Sequence, residues 1–70
     1  MAEIRAPITG NVWEIHVAVG DDVAEGELVV VIESMKLEIP VEADVAGTVR
    51  EVVVAVGDPV AEDDVMLVLE

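Results

Sequence analysis

The 70-residue chain contains no cysteine and only one aromatic residue, Trp13. Without cysteine it can form neither a disulfide bond nor a thiolate metal site. Basic residues are also scarce: three Lys and Arg stand against 16 Asp and Glu, which gives a formal net charge of −13. Binding to nucleic acid or to an anionic membrane surface depends on clustered Lys and Arg, so this composition argues against both partners.

Long hydrophobic runs are missing as well. The longest unbroken apolar runs, such as residues 28–32 and 52–56, have five residues each, whereas a membrane-spanning helix needs roughly 18 or more. The first residues show no basic start followed by an apolar block, so no secretory signal is predicted. A cytoplasmic location is therefore expected.

β-Branched residues dominate what is present: 17 Val, 5 Ile and 2 Thr account for 24 of the 70 residues. Such side chains pack well on a pleated sheet. Apolar and polar residues alternate in several short runs, and in one of these Trp13, Ile15, Val17 and Val19 share a phase. Gly- and Asp-rich turn signals separate the runs at intervals of about ten residues, which predicts an all-β sandwich or flattened barrel.

The sequence repeats itself at an offset of 37 residues. Without any gap, 14 of 28 positions are identical between residues 6–33 and residues 43–70. One copy alone could not bury its apolar face, so the two halves are expected to pack face to face across a pseudo-twofold axis in one domain covering residues 1–70. The connecting residues 34–42 are predicted to form a hairpin with Met35 and Lys36 at its tip.

Lys36 is the only lysine in the chain. An amine at the tip of a turn is an accessible nucleophile, and within this chain it competes only with the N-terminal amine. The alternative interpretation is an ordinary solvated turn lysine. Met35 and Leu37 flank Lys36, and if exposed they would form an apolar collar whose burial by a partner is favourable by about 25 cal/mol per Å².

Residues 33–40, with the sequence ESMKLEIP, lie between two Gly-Asp-containing repeats and are followed by ADVAGTV at residues 43–49. This arrangement resembles the biotinyl/lipoyl attachment domain, most closely free-standing biotinyl proteins and biotin carboxyl carrier domains. The resemblance implies a flattened β-barrel of two four-stranded antiparallel sheets with internal quasi-twofold symmetry. Met35 matches the Met-Lys-Met pattern of biotinyl domains, and Leu37 replaces the second Met by a side chain of similar volume.

The resemblance also implies a function. A biotin protein ligase would attach biotin covalently to Lys36. The ligase recognition surface would consist of Met35 and Leu37, with Glu33 and Glu38 as charged contacts. The protein would then shuttle carboxybiotin between the biotin carboxylase and carboxyltransferase components of a biotin-dependent carboxylase. It would be a cofactor carrier, expected to be monomeric, and not itself an enzyme. A lipoyl carrier, or an unmodified interaction domain of the same fold, are the alternatives.

Other candidate residues favour structural roles. His16, the only histidine, lies on the polar phase of a strand, and a metal site would need further ligands, so no metal is expected. Ser34 has no predicted base partner for nucleophilic catalysis, so no catalytic residue is assigned. Trp13, which corresponds to Arg50 in the second repeat, could be a core residue or an exposed partner contact. Acidic clusters without calcium-loop spacing are interpreted as turn caps and solubilising charge; they are Asp21-Asp22, Asp58 and Glu62-Asp63-Asp64.

Overall fold

The computed structural model describes residues 1–70, in which eight β-strands are joined by turns and short loops. It has no helix with the length and apolar character needed to cross a membrane. The strands are β1 (Ala2–Arg5), β2 (Gly10–Ile15), β3 (Asp22–Val23), β4 (Leu28–Ser34), β5 (Leu37–Glu42), β6 (Gly47–Val52), β7 (Pro59–Val60) and β8 (Val65–Leu69).

The strands form two four-stranded sheets, with the orders β1-β8-β6-β3 and β5-β4-β2-β7. All pairings are antiparallel. Adding four to each strand number converts the first order into the second, counting past β8 back to β1, so the sheets are related by a quasi-twofold axis. The predicted all-β fold of two four-stranded antiparallel sheets is confirmed.

The two sequence halves interlock, and the expectation that they pack face to face is wrong. Each sheet takes two strands from β1–β4 and two from β5–β8. The two-residue strands β3 and β7 pair only with strands of the opposite half. Strands this short depend on the hydrogen bonds of a neighbouring strand, and here that strand belongs to the other half.

Symmetric hydrogen bonds join the halves. The backbone N–H of Gly20 donates to the carbonyl of Val49 at 2.8 Å, and Gly57 donates to Val12 at the same distance. Gly20 and Gly57 have φ angles of 95° and 94°, in the left-handed region that Gly adopts without steric cost. The same turn therefore occurs once in each half and fastens it to the other.

The core repeats the internal symmetry in full. Its cluster contains 14 buried residues, which form seven pairs separated by 37 positions. Neither half could enclose this cluster alone, so the core exists only at the junction of both. The pairs are Ile4/Val41, Ala6/Ala43, Val12/Val49, Val23/Val60, Val29/Met66, Val30/Leu67 and Ile32/Leu69.

A β-bulge changes the side-chain phase in β2. The register with β4 shifts between Val12 and Glu14, and an extra residue in one strand breaks the period of two. Val12 is buried, and because of the bulge Trp13 and Glu14 both face solvent, with 47% of the surface of Trp13 exposed. The phase predicted from Trp13 through Val19 holds for Ile15 and Val17, which pack against the core, but is wrong for Trp13 and for Val19, which is 65% exposed.

Candidate modification site at the hairpin between β4 and β5

The hairpin between β4 and β5 has a two-residue turn. Ser34 at the end of β4 pairs with Leu37 at the start of β5, which leaves Met35 and Lys36 as the central residues. Their φ angles are 54° and 67°. Positive φ at both central positions is the pattern of a type I′ turn, in which Asn and Gly are strongly preferred. Met and Lys are strained in this conformation, and such strain is concentrated at functional sites.

The turn projects its side chains into solvent. Met35 is 92% exposed and Leu37 is 64% exposed, and Lys36 is exposed between them. The two ion pairs in the structure join Arg5 to Glu3 and His16 to Glu14. The amine of Lys36 is therefore free of any carboxylate, although the chain carries 16 of them. The apolar collar predicted around this amine is present.

The base of the hairpin is held firmly. The hydroxyl of Ser34 donates to the carbonyl of Thr9 at 3.0 Å, which ties the end of β4 to the loop before β2. Just below, Val31 and Ile32 are buried. The hairpin thus presents an exposed amine on a rigid support, an arrangement suited to a second protein that must reach the nitrogen.

The structure brings all five predicted site residues together. Met35, Lys36 and Leu37 occupy consecutive positions at the tip, and Glu33 lies directly opposite Glu38 one position below the Ser34–Leu37 pair. Glu33 is half-buried, whereas Glu38 is exposed. Carboxylates placed opposite each other across two strands repel and destabilise the sheet. This pair therefore has no folding benefit, but it would suit a positively charged partner.

The remaining polar candidates have local roles. The ring Nε2 of His16 lies 3.0 Å from a carboxylate oxygen of Glu14, and no group of three or more potential metal ligands occurs in the structure. Three carboxylates of the acidic clusters accept a hydrogen bond from the backbone N–H three residues earlier: Asp21 from Ala18, Asp58 from Ala55 and Asp64 from Ala61, at 2.8–2.9 Å. The predicted role of the acidic clusters as turn caps is confirmed at these positions.

Sequence reasoning left the location of Trp13 open, and the structure places it on the surface. Trp13 and Val56 line one groove together with Glu14 and Glu33. The signal that could have revealed this exposure is the second repeat, since Arg50 occupies the corresponding position. A site that accepts arginine in one half of a symmetric fold is a poor candidate for the core of the other.

Comparison with known proteins identifies the family of this chain. A family model described as "Biotin-requiring enzyme", the biotin/lipoyl attachment family, matches residues 2–69. The chain belongs to the biotin/lipoyl attachment family. Members of this family carry a cofactor, and this places the chain among carrier domains.

Two curated relatives are similar over part of the chain. The biotin/lipoyl attachment protein of Bacillus subtilis is 48% identical over 40 residues, which are 57% of this chain and 55% of the relative. The biotinylated protein TB7.3 of Mycobacterium tuberculosis is 52% identical over 44 residues, which are 61% of this chain and 62% of the relative. The aligned part of the chain thus spans somewhat more than half the length of these relatives.

Solved structures share the whole fold. The urea carboxylase of Kluyveromyces lactis superposes with a TM-score of 0.90 and 35% identity, covering 99% of this chain and 6% of that protein. A single-chain, multi-domain long-chain acyl-CoA carboxylase superposes with a TM-score of 0.87 and 32% identity, covering 94% of this chain and 7% of that protein. In both, the similar region is a small part of a much larger enzyme.

Proposed function

We propose that this protein is a biotin carrier in which Lys36 is the residue that a biotin protein ligase acylates. The main observation in its support is that the chain's only lysine has a free amine and lies at the tip of a strained, exposed turn. Family membership and the similarity to proteins named for biotinylation support biotin over lipoate as the attached group. The flanking Met35 and Leu37, both exposed, support the same choice.

The residues of the hairpin fit such an attachment. The amine of Lys36 loses a proton and attacks the acyl carbon of a biotinyl adenylate held by the ligase. An amide C–N bond forms, the C–O bond to phosphate breaks, and AMP leaves. The positive charge of Lys36 disappears in this step. Met35 and Leu37 would bury apolar surface against the ligase, which stabilises the encounter by about 25 cal/mol per Å².

Once attached, biotin supplies the atom that accepts and releases a carboxyl group, and the protein supplies presentation. Lys36 would extend the group away from the barrel, and the anchored base at Ser34 would fix the point from which it swings. We assign the partners as the biotin carboxylase and carboxyltransferase components of a biotin-dependent carboxylase. The chain itself would contribute no catalytic residue, and the cycle would run in the cytoplasm.

Intact mass measurement tests this proposal. The full chain is coexpressed with a bacterial biotin protein ligase in medium containing biotin, and the purified protein is weighed. We expect the mass to increase by one biotinyl group, and peptide mapping should place that group on Lys36. Lys36→Arg is the matched control, because it retains the positive charge and length of the side chain but offers no primary amine.

The other outcomes identify the alternatives. A Lys36→Arg variant that still gains the group would transfer the site to the N-terminal amine. An unmodified wild-type chain under saturating ligase would contradict the proposal and favour an unmodified interaction domain. Incubation with lipoate ligase and lipoate provides the comparison with a lipoyl carrier, and efficient lipoylation in the absence of biotinylation would replace biotin in the proposal.

A further inference from the structure

The quasi-twofold axis provides an internal reference for the surface of this protein. The strands, the core pairs and the turns at Gly20 and Gly57 occur twice, so an exposed feature that only one half carries is not a requirement of this shared framework; the hairpin bearing Lys36 is one such feature. A second is the exposed aromatic ring at Trp13, because the corresponding bulge in β6 carries Arg50. The fold therefore accommodates a charged residue at this position, and folding does not explain the tryptophan.

The surroundings of Trp13 are apolar and acidic. Val56, 64% exposed, lies in the same groove. It occupies the turn before Gly57, whose backbone N–H is bonded to the carbonyl of Val12 at 2.8 Å, and this bond holds the turn against β2. Two acidic residues, Glu14 and Glu33, also line the groove. An aromatic face bordered by carboxylates is suited to the guanidinium or ammonium of a partner side chain.

This groove is continuous with the modification site. Glu33 lines the groove and also lies opposite Glu38 at the base of the hairpin. Val31, which pairs with Glu14, and Glu33 point to the same side of β4, since they are two residues apart. Trp13 and the Glu33–Glu38 pair therefore lie on one outer face of the sheet β5-β4-β2-β7, at the end of the sheet that carries the Lys36 hairpin.

We propose that this surface, the Trp13 face formed by Trp13, Val56, Glu33 and Glu38, is the docking site for the enzyme that acylates Lys36. The partner presents an apolar segment bearing an arginine or lysine. The inference rests on the proposed function, because it takes Lys36 as the acylated residue. Two observations favour the acylating enzyme as occupant. The face lies beside the hairpin that this enzyme must contact. Its two glutamates, on a chain with a net charge of −13, favour a partner whose docking surface is basic.

Steady-state kinetics of biotinylation test the proposal, with the purified full chain as the varied substrate and a bacterial biotin protein ligase, biotin and ATP in excess. Trp13→Arg copies the residue that the fold already holds at position 50. We expect kcat/KM to fall by about tenfold or more, as for an aromatic hot spot, mainly through KM because the hairpin is unchanged. Arg50→Ala, at the corresponding site of the other half, should remain within about twofold of wild type.

A second matched pair keeps the test independent of how Trp13→Arg folds. Val56→Arg places a positive charge on the Trp13 face, and Val19→Arg places the same charge at the corresponding turn of the other half. Both positions are at least 64% exposed. Val56→Arg should lower kcat/KM several-fold more than Val19→Arg, since only the former meets the basic partner.

Failure of the docking proposal and failure of the proposed function are distinguishable. If wild type is acylated on Lys36 and the two face variants are acylated equally well, the docking proposal is wrong while the carrier function stands. Normal acylation of the variants followed by a defect in carboxylation would assign the face to a carboxylase component and would overturn the proposal as stated. An unmodified wild-type chain would overturn both.

Discussion

The strained turn at the tip of the hairpin makes a prediction about stability. Met35 and Lys36 both have positive φ, a backbone conformation that costs an L-residue roughly 1–2 kcal/mol. Replacing Lys36 by Gly removes that cost, but Gly loses about 0.5–1 kcal/mol more conformational entropy on folding than another residue would. We therefore expect Lys36→Gly to increase the free energy of unfolding by about 0.5–1 kcal/mol.

The expected change is measurable in a domain of this size. One kcal/mol shifts the melting temperature of a 60–100-residue domain by about 4–8 °C. Lys36→Gly should accordingly raise Tm by about 2–8 °C. Thermal unfolding followed by far-UV circular dichroism gives this value, and urea unfolding gives the free energy independently.

Lys36→Ala is the matched control for this experiment. It removes the same charge and the same long side chain, but it keeps the steric restriction that makes positive φ unfavourable. Its Tm should therefore stay close to that of wild type, because the side chain of Lys36 makes no ion pair that could be lost. Equal stability of the Gly and Ala variants would refute the assignment of strain to this turn.

The same substitution separates stability from function. Lys36→Gly and Lys36→Ala should both abolish acylation, although only the former stabilises the fold. Met35→Asn should also stabilise the hairpin, since Asn is favoured in type I′ turns, while it removes an exposed apolar side chain that we propose contacts the ligase. Met35 and Lys36 occupy positions where Asn and Gly would be less strained, which supports a functional role for these two side chains.

Three further predictions concern the barrel and its charge. Gly10→Ala should lower the free energy of unfolding by about 1–3 kcal/mol, because a Cβ there would lie 2.5 Å from the carbonyl oxygen of Glu33. Gly47→Ala, whose closest contact would be 3.0 Å, should lose less stability in thermal unfolding. Equal losses would show that the close approach at Gly10 does not determine the cost. Leu67→Ala should lower the free energy of unfolding, measured with urea, by about 2–5 kcal/mol, since this side chain is fully buried. A loss below about 1 kcal/mol would show that the core collapses to fill the cavity. The initial rate of acylation should fall as sodium chloride is added, because salt screens the attraction between an acidic chain and a basic enzyme; a rate independent of salt would exclude electrostatic steering.

Much of the site could be predicted because the repeat aligns without a gap. The offset of 37 residues isolates the segment that belongs to neither copy, and that segment contains the only lysine. The dipeptide Met35-Lys36 has no turn signature of its own. Its position followed from the need to join two equivalent halves by a short connection, and the structure confirms it.

The exchange of strands between the halves could not be predicted. Both copies carry the same apolar pattern, so the sequence favours pairing within one half and pairing between the halves equally. The choice depends on long-range geometry, in particular on the two-residue strands β3 and β7, which are too short to give a periodic signal. The bulge at Trp13 was hidden for a related reason, since one extra residue in a strand leaves the composition unchanged and reverses the phase of the residues after it.

Internal symmetry helps to separate folding from function in this protein. All seven core pairs and the turns that bind the halves together obey the twofold relation, which identifies them as requirements of the fold. The hairpin at Lys36 and the ring of Trp13 do not obey it, and both belong to the sheet β5-β4-β2-β7. A duplicated fold has two equivalent surfaces, but a carrier acylated at one residue, as we propose for Lys36, needs only one of them to meet its partner. The two departures that expose apolar side chains around a unique amine or aromatic ring, the Lys36 hairpin and Trp13, lie on the same sheet, as expected for the surface that meets the partner.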